Sequence, residues 1–175
     1  MGIANTTAAA AVGLATLGGS AQDWVGPGTG VDADGVSLKA SVITKGIEVN
    51  QDMMADGLNI MAAVGGRELA AIAGAVLAAR HRRIPVLLDG FISTASVLPL
   101  LKDNADALAH CQISHRSQEP GHHVIIEKTG KAPLIDLGLR LGEGSGAATA
   151  LPILKAAVAA HSGMATFAEA GVSDG

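Results

Sequence analysis

PVLLDGF, Pro85–Phe91, is a short continuous apolar run, the pattern of a strand buried on both faces. It is followed by a helix-like segment, Thr94–Leu101, which tolerates Pro99, and then by a second candidate strand, Ala107–Ser114, ALAHCQIS. Strand, helix, strand predicts an α/β protein with a parallel sheet. In such sheets ligands sit beyond the carboxyl ends of the strands, which singles out Asp89-Gly90 and Ser114-His115.

Upstream of this unit, Glu68–Arg80 reads as an apolar helix ending in basic residues that suit its C-terminal dipole. Gly65-Gly66 reads as a turn and Leu58–Val64 as a strand. Downstream come a polar loop, Arg116–His123, and a short strand, Val124–Glu127. Leu134–Leu141 alternates like a strand, although Asp136 and Gly138 weaken that reading. A last helix is expected over Gly146–His161, bent or begun afresh at Pro152. At the other end, Asn5-Thr6-Thr7 caps an alanine-rich helix, Gly26–Gly30 (GPGTG) forms a loop, and Asp32 or Asp34 caps a second helix carrying Lys39. Without an internal repeat, heptad seam or low-complexity linker, residues 1–175 read as one domain.

Composition narrows the function classes. With 49% hydrophobic and 16% charged residues, but only two Phe, one Trp and no Tyr, the core must come from Ala, Val, Leu, Ile and Met in close-packed small elements. The formal charge of -4, with no basic cluster longer than Arg80-His81-Arg82-Arg83, argues against a nucleic-acid partner. The apolar runs Ala8–Leu17 and Leu69–Ala79 are too short to cross a bilayer. A single cysteine, Cys111, precludes an internal disulfide and fits the cytoplasm.

Several residues could carry chemistry. The helix start Gly2–Thr7 is either an anion-holding N-terminus or an ordinary cap. Leu141–Ala148, LGEGSGAA, sets one carboxylate, Glu143, among small residues directly before an apolar helix. Glu143 reads as a solvated loop residue or as a general base, and the G-x-G-x-G spacing of Gly142, Gly144 and Gly146 is a weak dinucleotide fingerprint, with no convincing strand and ribose-binding acid after it. Cys111, His115 and the His122-His123 pair match no standard zinc spacing, and Cys111 reads as a buried inert thiol. Asp89 could bind ribose hydroxyls or cap the next helix.

Taken in order, MGIANTTAAA, GPGTG with its following lysine, PVLLDGF, ISHRSQEPGH, LIDLGLRLGEGSGAA and MATFAEAGV closely resemble the C-terminal half of the nicotinate-nucleotide:dimethylbenzimidazole phosphoribosyltransferases. The resemblance covers nearly the whole chain. It implies a three-layer α/β/α fold with a parallel, Rossmann-like sheet, a homodimer, and no metal or cofactor. The implied reaction moves phosphoribose from nicotinate mononucleotide to a benzimidazole with inversion at the anomeric carbon, in the lower-ligand branch of cobalamin synthesis. By the same resemblance the catalytic glutamate is Glu143. Substrate contacts would fall at Gly2, Asn5, Thr6, Gly28, Lys39, Asp89, Gly90, Ser117 and Gly142. Family members are longer at the N-terminus, where much of the azole pocket lies, so the sheet is expected to be incomplete there. The alternatives are a non-catalytic nucleotide- or phosphate-binding fragment and a subunit completed by a separate N-terminal piece.

Overall fold

A computed structural model describes residues 4–28 and 30–173. The helices α1 (Thr6–Leu17), α2 (Ala21–Trp24), α3 (Ala33–Asn50), α4 (Gly57–Val64) and α5 (Arg67–His81) precede strand β1 (Val86–Leu88). Helix α6 (Phe91–Asp103) crosses to strand β2 (Cys111–Ile113), and α7 (Pro120–Thr129) and α8 (Ser145–Gly163) follow. The two strands pair in parallel, Val86 opposite Cys111 and Leu88 opposite Ile113. This is the α/β class expected, with helices α5 and α6 against the sheet and α8 touching β1.

The sheet gains an irregular third member. The Leu134 and Ile135 N–H groups donate to the Ile113 and Ser114 carbonyls at 3.0 and 3.1 Å, and Arg116 N–H returns a bond to Ile135 O at 2.9 Å. Residues 134–139 therefore run beside residues 113–118, the continuation of β2, and lead directly into the glycine-rich turn that carries Glu143.

Two expected strands are helices. In α4 the buried Gly57 and Ile60 and the half-buried Met61 and Val64 follow the i, i+3, i+4, i+7 spacing of a helical face, with Ala63 half-buried beside them, while Leu58 is exposed. Asp56 starts this helix by accepting the Asn59 N–H at 2.7 Å. Likewise Val124–Glu127 lies within α7, which begins with Pro120 at its first turn and stops at Gly130 in the left-handed region, φ +65°. The polar loop consequently ends at Glu119 rather than His123. The second strand is shorter than expected, since residues 105–110 form turns. Helix α8 is also unbroken at Pro152.

Alanine makes the centre close-packed: Ala9, Ala10 and Val12 of α1 are fully buried among α3, α4 and α6. The expectation of a core without aromatics needs correction. Trp24 and Phe91 are both buried, whereas Met54 and Met61 only pack around the edge. The Trp24 ring fits because residue 13 is glycine; a Cβ there would stand inside the indole. Its Nε1–H donates to Gly18 O at 3.1 Å. Among the described residues no helix is long and apolar enough to cross a membrane.

Candidate active site

The carboxyl ends of β1 and β2 bring Asp89-Gly90 and Ser114-His115 side by side. Ser114 N–H donates to Leu88 O at 2.8 Å and its Oγ donates to Asp89 O at 2.8 Å, stitching the two strand ends together. Gly90 lies against the His115 ring and Ser117: a Cβ at residue 90 would be 3.1 Å from His115 Cε1 and 3.6 Å from Ser117 Cβ. Asp89, Gly90 and Ser117, three of the expected site positions, thus share one end of the sheet.

Ser117 is held by a buried polar cluster. Its N–H donates to His122 Nδ1 at 2.9 Å, and its carbonyl lies 3.0 Å from His123 Nε2. With Nδ1 accepting, the His122 proton resides on Nε2, 3.4 Å from Thr94 Oγ1, which itself donates to Gly90 O at 2.8 Å. Burial, reinforced by His115, His123 and Arg116, pushes the His122 pKa down to about 3, so this ring is neutral. These histidines hold the Ser117 loop through its backbone. Among the described residues no three His, Cys, Asp or Glu side chains are grouped to hold an ion. Cys111 is buried, and burial raises its thiol pKa, as expected of an inert thiol.

A second group of expected residues meets at the N-terminus of α1. Lys39 Nζ, reaching across from α3, is 3.4 Å from both Thr6 Oγ1 and Gly26 O. Gly28, at φ +54°, lets the loop pass close to that ammonium; a Cβ there would be 3.2 Å from Nζ. Asp32 is the residue that caps α3, accepting the Gly35 N–H at 2.9 Å. Asn5 occupies the cap position of α1, but its side chain makes no capping hydrogen bond. The α1 amides are therefore not covered by their own cap. Gly2 lies outside the described residues.

Arg140 joins the two groups. Its Nη2 donates to Gly28 O at 2.8 Å and lies 3.9 Å from the Glu119 carboxylate. Only three residues later stands Glu143, roughly 10 Å of extended chain at most. Glu143 itself is exposed and left-handed, φ +59°, between Gly142 at +77° and Gly144 at +79°. No other described residue bonds to its carboxylate. Asp89 does cap a helix, but not the following helix α6. It caps α8, with Oδ2 accepting Gly144 N–H at 3.1 Å and Oδ1 accepting Ala147 N–H at 2.9 Å.

Sequence reasoning does not single out Arg140 or Glu119. The position of Arg140 within the same motif as Glu143 is a signal for it; nothing local points to Glu119.

A small parallel sheet whose strand ends face glycine-rich turns, with a lysine beside a helix start, is an arrangement that can hold an anion. The chain belongs to the phosphoribosyltransferase family, whose model matches residues 1–172. Among its relatives, the nicotinate-nucleotide–dimethylbenzimidazole phosphoribosyltransferase of Allorhizobium ampelinum is 55% identical over 174 residues, 99% of this chain and 51% of the relative. The protein of the same name from Rhizobium etli strain CIAT 652 is 57% identical over 173 residues, again 99% of this chain and 51% of the relative. The crystal structure of CobT from Thermus thermophilus superposes with a TM-score of 0.93 at 44% identity, covering 100% of this chain and 52% of that one. The chain thus spans about half the length of the curated relatives it matches.

Proposed function

We propose that this chain carries the nucleotide-handling and proton-accepting half of a phosphoribosyl transfer from nicotinate mononucleotide to 5,6-dimethylbenzimidazole. The products are α-ribazole 5′-phosphate, for cobalamin lower-ligand assembly, and nicotinate. The observation that carries the reading is the Arg140 bond to the Gly28 carbonyl, which ties the Lys39–Thr6 cradle to the strand end bearing Glu143.

In this reading Asn5, Thr6, Gly28 and Lys39, together with Gly2, bind the 5′-phosphate, where a positive helix end and an ammonium converge. Gly90, Ser117 and Gly142 line the sugar side. The bond from the anomeric carbon to nicotinate breaks with its electron pair going to nicotinate. The azole nitrogen forms the new bond from the opposite face, and the proton on the other azole nitrogen passes to the Glu143 carboxylate. An exposed carboxylate with no internal partner is free to accept it. Holding the phosphate fixes the anomeric carbon toward that base, a positioning effect that can be worth several kcal/mol.

A homodimer is part of the same proposal. Leu151, Ile153 and Val158 leave α8 with exposed apolar surface, as does Phe167 beyond it, and a second copy would cover such area. Residues 1–175 act in this reading as one domain, in the cytoplasm, where the lone Cys111 stays reduced.

The test is to incubate the chain with nicotinate mononucleotide and dimethylbenzimidazole and resolve the products by chromatography. Ribazole phosphate and nicotinate should form in equal amounts, and Lys39→Ala should suppress both. Tight binding of the nucleotide by the parent without product would replace the enzyme reading with that of a phosphate-binding module.

A further inference from the structure

The turn that carries Glu143 does not hold itself. Three successive residues, Gly142, Glu143 and Gly144, lie in the left-handed region, which the Cβ of Glu143 resists. Within the turn one bond is local, Ser145 N–H to Gly142 O at 3.0 Å. The other fastening comes from the far side of the sheet, where Asp89 spans the turn and the first coil of α8 through its two carboxylate oxygens. A carboxylate at a helix start satisfies free amides and meets the positive dipole end, so this clamp is favourable on both counts.

Asp89 is itself anchored. It follows β1 directly, its carbonyl accepts the Ser114 hydroxyl, and its Oδ1 is 3.7 Å from Nδ1 of the buried His115. The His115 ring in turn fills the space a side chain at Gly146 would need, so α8 is seated on that ring one residue after Ser145. Sheet end, His115, Asp89 and the Glu143 turn form one continuous support.

We propose that Asp89 is a positioning residue for Glu143: it fixes the turn and the start of α8 in the conformation that presents the base, and does not touch the substrate. The proposal rests on the reading of Glu143 as the proton acceptor. An asparagine at position 89 has nearly the same shape but offers one acceptor and one NH2, so it can keep one of the two amide bonds while setting a donor against the other. Asp89→Asn therefore breaks one arm of the clamp with the least change in packing.

The experiment uses the 15N-labelled chain. In Asp89→Asn, Gly144 or Ala147 should lose amide-exchange protection by about tenfold or more, whereas Glu143→Gln should leave both amides as they are. In the transfer assay Asp89→Asn should lower kcat by about 100-fold while the KM for nicotinate mononucleotide stays within about twofold. In the unsubstituted chain, scalar couplings across the hydrogen bonds should correlate the Gly144 and Ala147 amide nitrogens with the Asp89 carboxyl carbon, a readout that survives if the variant does not fold. Absence of both couplings, or amides that remain protected in the variant, would overturn the proposal. So would a raised KM with kcat kept, which would make Asp89 a sugar contact. Absence of turnover in the unsubstituted chain would count against the function reading, and the amide data would still decide whether Asp89 holds the turn.

Discussion

Acidification should reveal how much the fold depends on a neutral His122. The ring is fully buried, its Nδ1 accepts the Ser117 N–H, and its pKa falls from 6.5 to about 3. In the unfolded chain the same imidazole takes up a proton below its ordinary value, so the unfolded state binds more protons and stability rises with pH. The contribution is fully present above about pH 6.5 and is lost progressively as pH falls toward about 3. Between about pH 7 and about pH 5 the linkage removes about 2 kcal/mol. Urea unfolding at those two pH values, for the parent and for His122→Asn, isolates the effect, because carboxylate contributions common to both proteins cancel. The asparagine keeps an acceptor for Ser117 N–H but cannot titrate, so the parent should lose about 2 kcal/mol more than the variant on acidification. Equal losses in the two proteins would refute the buried neutral ring as the acid-sensitive support of the Ser117 loop.

Two further outcomes follow from the site geometry. Gly146→Ala puts a methyl group into the His115 ring, and the forced shift should destabilise the chain by about 1–3 kcal/mol; a thermal melt with unchanged Tm would contradict the seating of α8 on that ring. Lys39→Ala removes the ammonium beside Thr6 and Gly28, and calorimetry should find nicotinate mononucleotide binding weaker by about 10- to 100-fold with the circular dichroism spectrum retained. Unchanged affinity would move the phosphate away from the start of α1.

The parallel sheet is legible in the sequence because PVLLDGF is apolar on both faces, and the helix through Pro99 is legible from its apolar run. Leu58–Val64 and Val124–Glu127 mislead because short apolar, β-branched runs do not distinguish a strand from a buried helical turn. Their boundaries hold the better information: Asp56 before the first, Pro120 and Gly130 around the second. At the site, the cap position of Asn5, the Asp32 cap of α3 and the turn at Gly28 can be read locally. The meeting of Lys39 with Thr6, and of Arg140 with Gly28, cannot, since those partners are separated by 33 and 112 residues. Asp89 is the sharpest case. Its own neighbourhood suggests a cap for the next helix, whereas its partners lie 55 and 58 residues further on.

Whether Glu143 takes the azole proton is tested most directly by comparing the parent and Glu143→Gln on a series of benzimidazoles of increasing ring N–H acidity. Removing a general base costs about 100- to 10,000-fold where the proton is hard to lose. The parent-to-variant ratio of ribazole phosphate formation should therefore be large for dimethylbenzimidazole and shrink steadily as the ring proton becomes more acidic. A ratio that is the same for every azole, or a Gln variant as fast as the parent, would contradict proton transfer to residue 143.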